Sequence, residues 1–330
     1  MRHTTIGQRL KTCPLCEVAR ATHILTQNGY QVFRCGICGF QFVQPVPTRE
    51  ELADYYEQSY AVPLERYTRT IGQKQGRIAR LERWQPVRGR LLEVGASYGY
   101  ALVQARERGW QVVGVELSPT ASKHARESLG LEVFTGDLLE ATLEPCSFDA
   151  AVMWHVLEHT QDPQAQLTHL RALLRPGGIL GIAVPNVTSF GAWVAGRSWP
   201  WMCPPAHLWY FSPRSLPYLL AKCGFEVLEV ATLRGDGNNL YQHTIMALGS
   251  RLNALRRWMQ RRASTEAAGA GEDSASLGNP PAVRHAWLAL LARAQPVTDL
   301  LARWTRPVLE PLEAAGWGDE LLCYARRPSL

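Results

Sequence analysis

The chain has 330 residues, 46% of them hydrophobic and 19% charged, an ordinary globular mixture that can bury a sizeable core without disulfides. Its net charge of +6 comes without any long Lys/Arg run, so an anionic partner is permitted but nucleic acid is not demanded. Residues 1–8 are polar and offer no secretory signal, which together with paired Cys-x-x-Cys motifs points to a reducing cytoplasm.

The first unit spans residues 1–45. It carries two knuckles, Cys13-Pro14-Leu15-Cys16 and Cys35-Gly36-Ile37-Cys38. Short β-like runs flank them at residues 23–25, 30–34 and 40–43. A unit this short cannot hold itself together with a core alone, and four thiolates on two turns suit a tetrahedral Zn²⁺. Cys13, Cys16, Cys35 and Cys38 are therefore the expected ligands of a structural zinc ribbon; four free structural thiols are the alternative. Cys146, Cys203, Cys223 and Cys323 are scattered singly.

Pro45-Val46-Pro47 ends this unit, and Thr48 with Glu51 forms a capping-box pattern. Two helices are expected, over residues 48–58 and 64–84, making a helical cap across 46–85 that carries Tyr55, Tyr56 and Tyr60.

From residue 89 strands and helices alternate, the mark of a parallel α/β sheet. Strands are expected at 90–95, 111–116, 131–135, 148–153, 179–184 and 225–233. The intervening helices open at residue 99, at Ser118-Pro119, at Asp162-Pro163 and at Ser212-Pro213, where Ser or Asp is a good N-cap and Pro fits the first turn. The third of these helices is expected to end at Arg175-Pro176-Gly177-Gly178. Gly177 to Gly196 has no charged residue and membrane-span length, but Pro185-Asn186 and several glycines make it a buried strand with a loop. Residues 239–315 break the alternation as a helical insertion, with a mobile loop at about 263–281 where small polar residues accumulate. The amphipathic stretch 282–314 suits packing on the core better than lying on a membrane surface, although its Trp and Arg content fits both. Residues 320–326 are apolar and read as a seventh strand returning to the sheet. The core is thus expected to span 86–238 and 316–330.

The chemistry is concentrated where strands end. After the first strand, Gly95, Ser97 and Gly99 follow Glu93 at alternate positions in a small-residue turn. Such a turn lets a ligand approach the backbone and aims helix amides at it. Glu116, with Leu117 beside it, ends the second strand about twenty residues on, where a carboxylate can hold both ribose hydroxyls. Asp137 and Leu138 close the third strand; Asp137 could meet an adenine amine or cap the following helix. After the fourth strand come Met153, Trp154, His155, Glu158 and His159.

Taken in order, these residues resemble the class I S-adenosylmethionine-dependent methyltransferases. The likeness runs through Phe148-Asp149 to Asp162-Pro163, through Leu173-Leu174-Arg175-Pro176-Gly177-Gly178, and into Val184-Pro185-Asn186. It departs where Ser97 stands for the central glycine of the motif. The resemblance implies a Rossmann-like seven-stranded, mostly parallel sheet with its last strand antiparallel, and S-adenosylmethionine as cofactor. It implies Glu93 and Gly95 near the methionine moiety, Glu116 on the ribose, Asp137 with Leu138 flanking adenine, and Met153 to His155 lining the sulfonium end.

Acceptors lose a proton when they take a methyl group, and the candidate bases are His155, His159 and His207. Local packing or capping is the competing role for each. A dense aromatic cluster at 187–212 suggests an acceptor pocket or a lid packed on its own core. The ribbon-plus-core layout also resembles sugar C-methyltransferases and methyltransferases of natural-product clusters, implying a small-molecule acceptor such as a nucleotide- or lipid-linked sugar or a secondary metabolite. Two alternatives stay open: an RNA methyltransferase whose ribbon grips nucleic acid, and a non-catalytic cofactor-binding protein. Arg9, Lys11, Arg20 and Arg34 form no basic stripe, which argues against the first. The sequence leaves the oligomeric state open.

Overall fold

The computed structural model describes residues 11–52, 55, 71–233, 311 and 313–329, with backbone alone at 71–75 and 313–314. The expected helix over 48–58 is described only at its start, where residues 49–52 are helical and the Thr48–Glu51 capping box forms. Tyr56, Tyr60 and the insertion with its loop, apart from residues 311 and 313–315, lie outside the described residues. Among the described residues no helix is long and apolar enough to cross a membrane.

The four-cysteine module is an antiparallel meander of β1 (Ala21–Gln27), β2 (Tyr30–Cys35) and β3 (Gln41–Val43). Asn28-Gly29 joins the first two strands, and both residues have positive φ (51° and 82°). That is the backbone a tight hairpin needs, and Asn-Gly supplies it at little cost.

The large sheet holds seven strands. In chain order they are β4 (Arg90–Val94), β5 (Gln111–Glu116), β6 (Glu132–Thr135), β7 (Phe148–Trp154), β8 (Leu174–Pro185), β10 (Glu226–Leu233) and β11 (Glu320–Arg326). Between β8 and β10 the two-residue β9 (Trp209–Tyr210) belongs to another sheet. The spatial order is β10-β11-β8-β7-β4-β5-β6, and β11 pairs antiparallel with both neighbours. Alternate residues feed two cores: Leu92, Val94, Met153 and Ile182 face one side, and Leu91, Val152, Trp154 and Ala183 the other. A sheet buried on both faces must be apolar throughout, which is why these strands read as near-continuous hydrophobic runs. The uncharged run from Gly177 accordingly enters β8 up to Pro185, and its second half, expected as a loop, contains a short helix at Phe190–Ala195.

Helices α1 (Ile71–Leu81), α2 (Tyr100–Glu107), α3 (Pro119–Leu129), α4 (Pro163–Leu173), α5 (Phe190–Ala195) and α6 (Ser215–Lys222) complete the described fold. Ser118 and Asp162 accept the amides of Ala121 and Ala165 as N-caps, each followed by proline in the first turn.

Two boundaries correct the sequence reading. Helix α6 begins at Ser215 with Arg214 at its N-cap and no side-chain cap, because Ser212-Pro213 forms a turn before it rather than its first residues. Helix α4 stops at Leu173, and Leu174 to Gly178 already belong to β8. Pro176 cannot donate to a helix and biases Arg175 towards extended backbone. Leu174 instead pairs with Phe148, and a bulge between Phe148 and Ala150 absorbs the irregularity.

A further feature has no counterpart in the sequence reading. Strand β9 pairs antiparallel with β3, extending the module's sheet to four strands with residues that follow α5. Phe40 stacks on Trp209 at 6.1 Å with the rings 6° from parallel, and packs against Phe211 at 5.5 Å. Aromatic stacking and main-chain pairing thus fasten the module to the core. Trp199, Trp209, Tyr210 and Phe211 are buried, so most of the 187–212 aromatics are packing residues.

Candidate cofactor cleft and histidine cluster

Parallel strands end at one edge of the sheet, and the sequence-predicted groups collect there. After β4 the chain turns through Gly95 (φ 71°), Ser97 (φ 51°) and Gly99 (φ 84°) into α2. A Cβ on Gly99 would lie 2.5 Å from Leu131 Cδ1, and one on Gly95 2.3 Å from Val156 Cγ2. Both positions therefore need glycine for backbone and for space. Helix α2 begins without a side-chain cap, leaving its N-terminal amides to the turn. Ser97 keeps the turn in place of a glycine, as a small residue that tolerates the left-handed conformation.

Glu116 stands opposite, at the end of β5. It accepts the Ser97 amide on Oε2 at 2.7 Å and the Ser118 amide on Oε1 at 2.8 Å. Each carboxylate oxygen has a second lone pair, so two vicinal hydroxyls can still be held. Leu117 beside it is exposed, whereas Leu138 is buried. Asp137 takes the capping role: its Oδ1 accepts the Leu139 amide at 2.8 Å and Gln166 Nε2 at 3.0 Å, with Glu140 reciprocating. Glu93 is buried at the end of β4.

Met153 and Trp154 do not present side chains to this edge. Met153 is fully buried in one core, and Trp154 lies under the Arg77 guanidinium, 5.7 Å from its ring centre, in the other. Strand alternation sends their side chains into the layers, so only their backbone borders the cleft.

His155 is the first residue beyond β7, in a left-handed conformation (φ 56°) that turns its ring along the sheet edge. Strand β11 runs the other way, so its first residue, Glu320, arrives at the same edge. His155 Nε2 meets Glu320 Oε2 at 2.9 Å, and Nδ1 meets Glu158 Oε1 at 3.4 Å. Glu320 is in turn paired with buried Arg77. Burial opposes charge on His155, but hydrogen bonds to Glu158 and Glu320 outweigh it and raise its pKa to about 9. Burial likewise resists charge on Glu158, yet the His155 hydrogen bond and the neighbouring histidines bring its pKa down to about 2. His155 is therefore an imidazolium at neutral pH with both nitrogens facing carboxylates.

The turn Leu157–His159 follows. His159 Nδ1 donates to the Ala206 carbonyl at 2.7 Å, and its Nε2 lies 4.0 Å from Glu158 Oε1. Because a carbonyl only accepts, the neutral ring carries its proton on Nδ1 and presents Nε2 as the proton acceptor. His207 packs edge-on against His159, with ring centres 4.7 Å apart. Burial, and next the charge of His159, push its pKa down to about 3. Trp201, half-buried, lies nearly parallel to His207 at 5.8 Å and within 24° of His155 at 6.5 Å.

The four module cysteines bring their sulfurs within 4.8 Å of one another. Cys13–Cys38 and Cys16–Cys35 are 3.7 and 3.6 Å apart, far beyond a disulfide and close to the roughly 3.8 Å edge of a tetrahedron with metal–sulfur bonds of about 2.3 Å. Burial raises the Cys35 thiol, but the Cys38 and Ile37 amides outweigh it and lower its pKa to about 7, whereas burial raises Cys13 and Cys38, the latter to about 11, so it is the tetrahedral spacing that carries the fit. The donor set thus fits a thiolate-binding metal.

A family model described as a methyltransferase domain matches residues 66–230, half of the chain. The chain belongs to the methyltransferase family. It is a class I S-adenosylmethionine-dependent enzyme by that match and by its relatives. A ubiquinone biosynthesis O-methyltransferase of Dinoroseobacter shibae is 32% identical over 183 residues, covering 51% of this chain and 72% of the relative. The same-named protein of Cereibacter sphaeroides is 31% identical over 154 residues, covering 42% of this chain but only 61% of its own length. Among solved structures, a phosphoethanolamine N-methyltransferase of Haemonchus contortus superposes with a TM-score of 0.47 at 17% identity, covering 93% of this chain and 71% of its own. A methyltransferase of Thermotoga maritima gives 0.46 at 17%, covering 84% and 95%.

For this methyltransferase, the residues that sequence reasoning missed are Arg77 and Glu320, while Trp201 stands out in the sequence only as one of the 187–212 aromatics. Glu158 stood in the quoted string, but its burial among three imidazoles is a tertiary fact. Glu320 opens a strand whose identity was legible while its partner was not.

Proposed function

We propose that this methyltransferase transfers the methyl group to a hydroxyl oxygen of a small molecule, with His159 as the base. The observation that carries the reading is the His159–Ala206 hydrogen bond, which presents Nε2 beside the buried anion Glu158 at the cofactor edge of the sheet. His155 is already charged at neutral pH, and His207 is buried with its basicity suppressed, so neither is suited to accept a proton there. The oxygen preference draws support from the relatives named as ubiquinone biosynthesis O-methyltransferases. A nucleotide- or lipid-linked sugar remains within the acceptor class.

In this reading Glu93 and Gly95 border the methionine moiety, Ser97 and Gly99 keep the turn open, and Glu116 holds the ribose hydroxyls. Leu117, Asp137 and Leu138 flank the adenine. When bound, S-adenosylmethionine supplies an electrophilic methyl group on a sulfonium. The chain's own work is to align the acceptor, exclude water with Trp201 and the buried aromatics around it, and receive the hydroxyl proton on His159 Nε2. Cys13, Cys16, Cys35 and Cys38 hold a structural Zn²⁺, as their tetrahedral spacing supports.

The test is transfer of labelled methyl into cell extract, counting RNA, protein, lipid and small-molecule pools separately. Label in the small-molecule or lipid-linked pool is the expected result. Label in RNA would overturn the reading and make the module a nucleic-acid clamp. No label in any pool, with cofactor still bound, would favour a non-catalytic binding protein.

A further inference from the structure

Four ionised side chains form a row along the sheet edge. Arg77 on α1 pairs with Glu320 on β11, Glu320 with His155 after β7, and His155 with Glu158 on the following turn. The signs alternate, so the four charges cancel and the row ends on a carboxylate. The next group beyond that end is His159, with Nε2 at 4.0 Å. His207 closes the same space from the segment before β9; one nitrogen or oxygen from each of Glu158, His159 and His207 lies within 4.8 Å of the others. Glu158 is 1% exposed, and the groups facing it are His155, His159 and His207.

A buried carboxylate is costly unless something answers its charge. His155 answers part of it across 3.4 Å, while Glu320 holds the other side of that imidazolium at the shorter 2.9 Å. The negative end of the row is therefore directed at His159.

Resting on the reading of His159 as base, we propose that Glu158 is a positioning residue for methyl transfer, its buried carboxylate stabilising the imidazolium that His159 becomes when it takes the acceptor's proton. In that step the acceptor O–H bond breaks and a new N–H bond forms at Nε2, while the pair left on oxygen forms the O–CH3 bond as the methyl carbon's bond to the sulfonium breaks and that pair leaves on sulfur as a neutral thioether. The row then reads Arg⁺, Glu⁻, His⁺, Glu⁻, His⁺, with every neighbour opposite in sign. The proton leaves His159 to solvent before the next turnover.

The experiment is the pH–rate profile of the full chain with labelled S-adenosylmethionine and a filtered small-molecule extract as acceptor. Wild type, Glu158→Gln and Glu158→Asp are compared, with cofactor affinity measured by calorimetry on each. The expected result for E158Q is a rate lower by roughly ten- to a hundredfold and an acid limb displaced downward by about one pH unit, with cofactor affinity kept. E158D, which keeps the charge one methylene further back, should restore the acid limb to its wild-type position at reduced rate. An acid limb unmoved in folded E158Q, or displaced in E158D as far as in E158Q, would overturn the proposal. If E158Q fails to fold, E158D decides it by limb and rate together: a limb displaced downward by about one pH unit, or an undiminished rate, would overturn the proposal. A divalent ion bound beyond the one held by the four cysteines, and lost in E158Q, would also overturn it, because the carboxylate would then serve an ion. Absence of wild-type transfer at every pH is a different failure: it removes the function proposed above.

Discussion

The amide of Val43 donates to the carbonyl of Leu208 at 2.9 Å, and the amide of Leu208 donates to the carbonyl of Glu158 at 2.8 Å. One residue thus ties the cysteine module on one side to the histidine turn on the other. Asn28 adds a bond to the Pro204 carbonyl at 2.8 Å, from the β1–β2 hairpin to the same segment. His207 lies in that segment, so the module braces the stretch of chain that brings His207 to the candidate site.

Cys35→Ser is accordingly expected to lose zinc and to depress methyl transfer at least tenfold while cofactor affinity changes little. The reasoning is that a small metal module without its metal lacks a core to hold β3 in place. Metal analysis and calorimetry on the purified variant check it; full zinc content in the variant would refute the ligand assignment.

Gly95→Asp should abolish cofactor binding. The position has φ 71°, where side chains other than glycine are strained, and its Cβ would press on Val156 at 2.3 Å, displacing the turn before the carboxylate is even placed. Calorimetry with S-adenosylmethionine that gives wild-type affinity would show the cleft to lie elsewhere.

Glu116→Ala removes the acceptor for two amides as well as the proposed ribose contact. Loss of charge-assisted hydrogen bonds worth about 1.5–3 kcal/mol predicts cofactor binding weaker by roughly ten- to a hundredfold. The same drop should appear with the demethylated cofactor product, because the contact is to the ribose and not to the methyl.

Stability should peak near neutral pH. His155, with its folded-state pKa raised to about 9, contributes stability that is complete below about 6.5 and fades as pH climbs towards 9. His207, with its pKa lowered to about 3, contributes above about 6.5 and progressively less as pH falls towards 3, and Glu158 loses its contribution from about 4.5 down to 2. Urea midpoints measured from pH 4 to 9 should therefore trace a dome. A steady rise across that range would contradict the charge states assigned to these histidines.

The strands and helix starts of the large sheet were legible because each rests on local chemistry: apolar runs of the right length, Ser118-Pro119 and Asp162-Pro163 as starts, and glycine turns. Four cysteines at knuckle spacing announced the module. What escaped depends on distance along the chain. Trp209-Tyr210 is too short to show alternation, and it is a strand only because β3 offers an edge. The three histidines are equivalent as letters; Glu320 holds one as a cation, the Ala206 carbonyl fixes the proton of the second on Nδ1, and burial suppresses the basicity of the third. The helix expected to reach Gly178 shows a local signal overruled, since Pro-Gly-Gly after a leucine pair reads as a helix stop until the pairing with Phe148 claims Leu174 for the sheet.

Strand β11 occupies the gap between β8 and β10, both made long before it. A nascent chain that has passed residue 233 still holds an open seam in its sheet, and the seam stays open until residues 320–326 have been synthesised and inserted. Joining strands so distant in sequence is slow, because the loop must be closed before its contacts repay the entropy. Glu320 travels on that late strand, so the charge on His155 is set only when the seam is sealed. Until then the sheet edge that carries the histidines lacks one of its carboxylates.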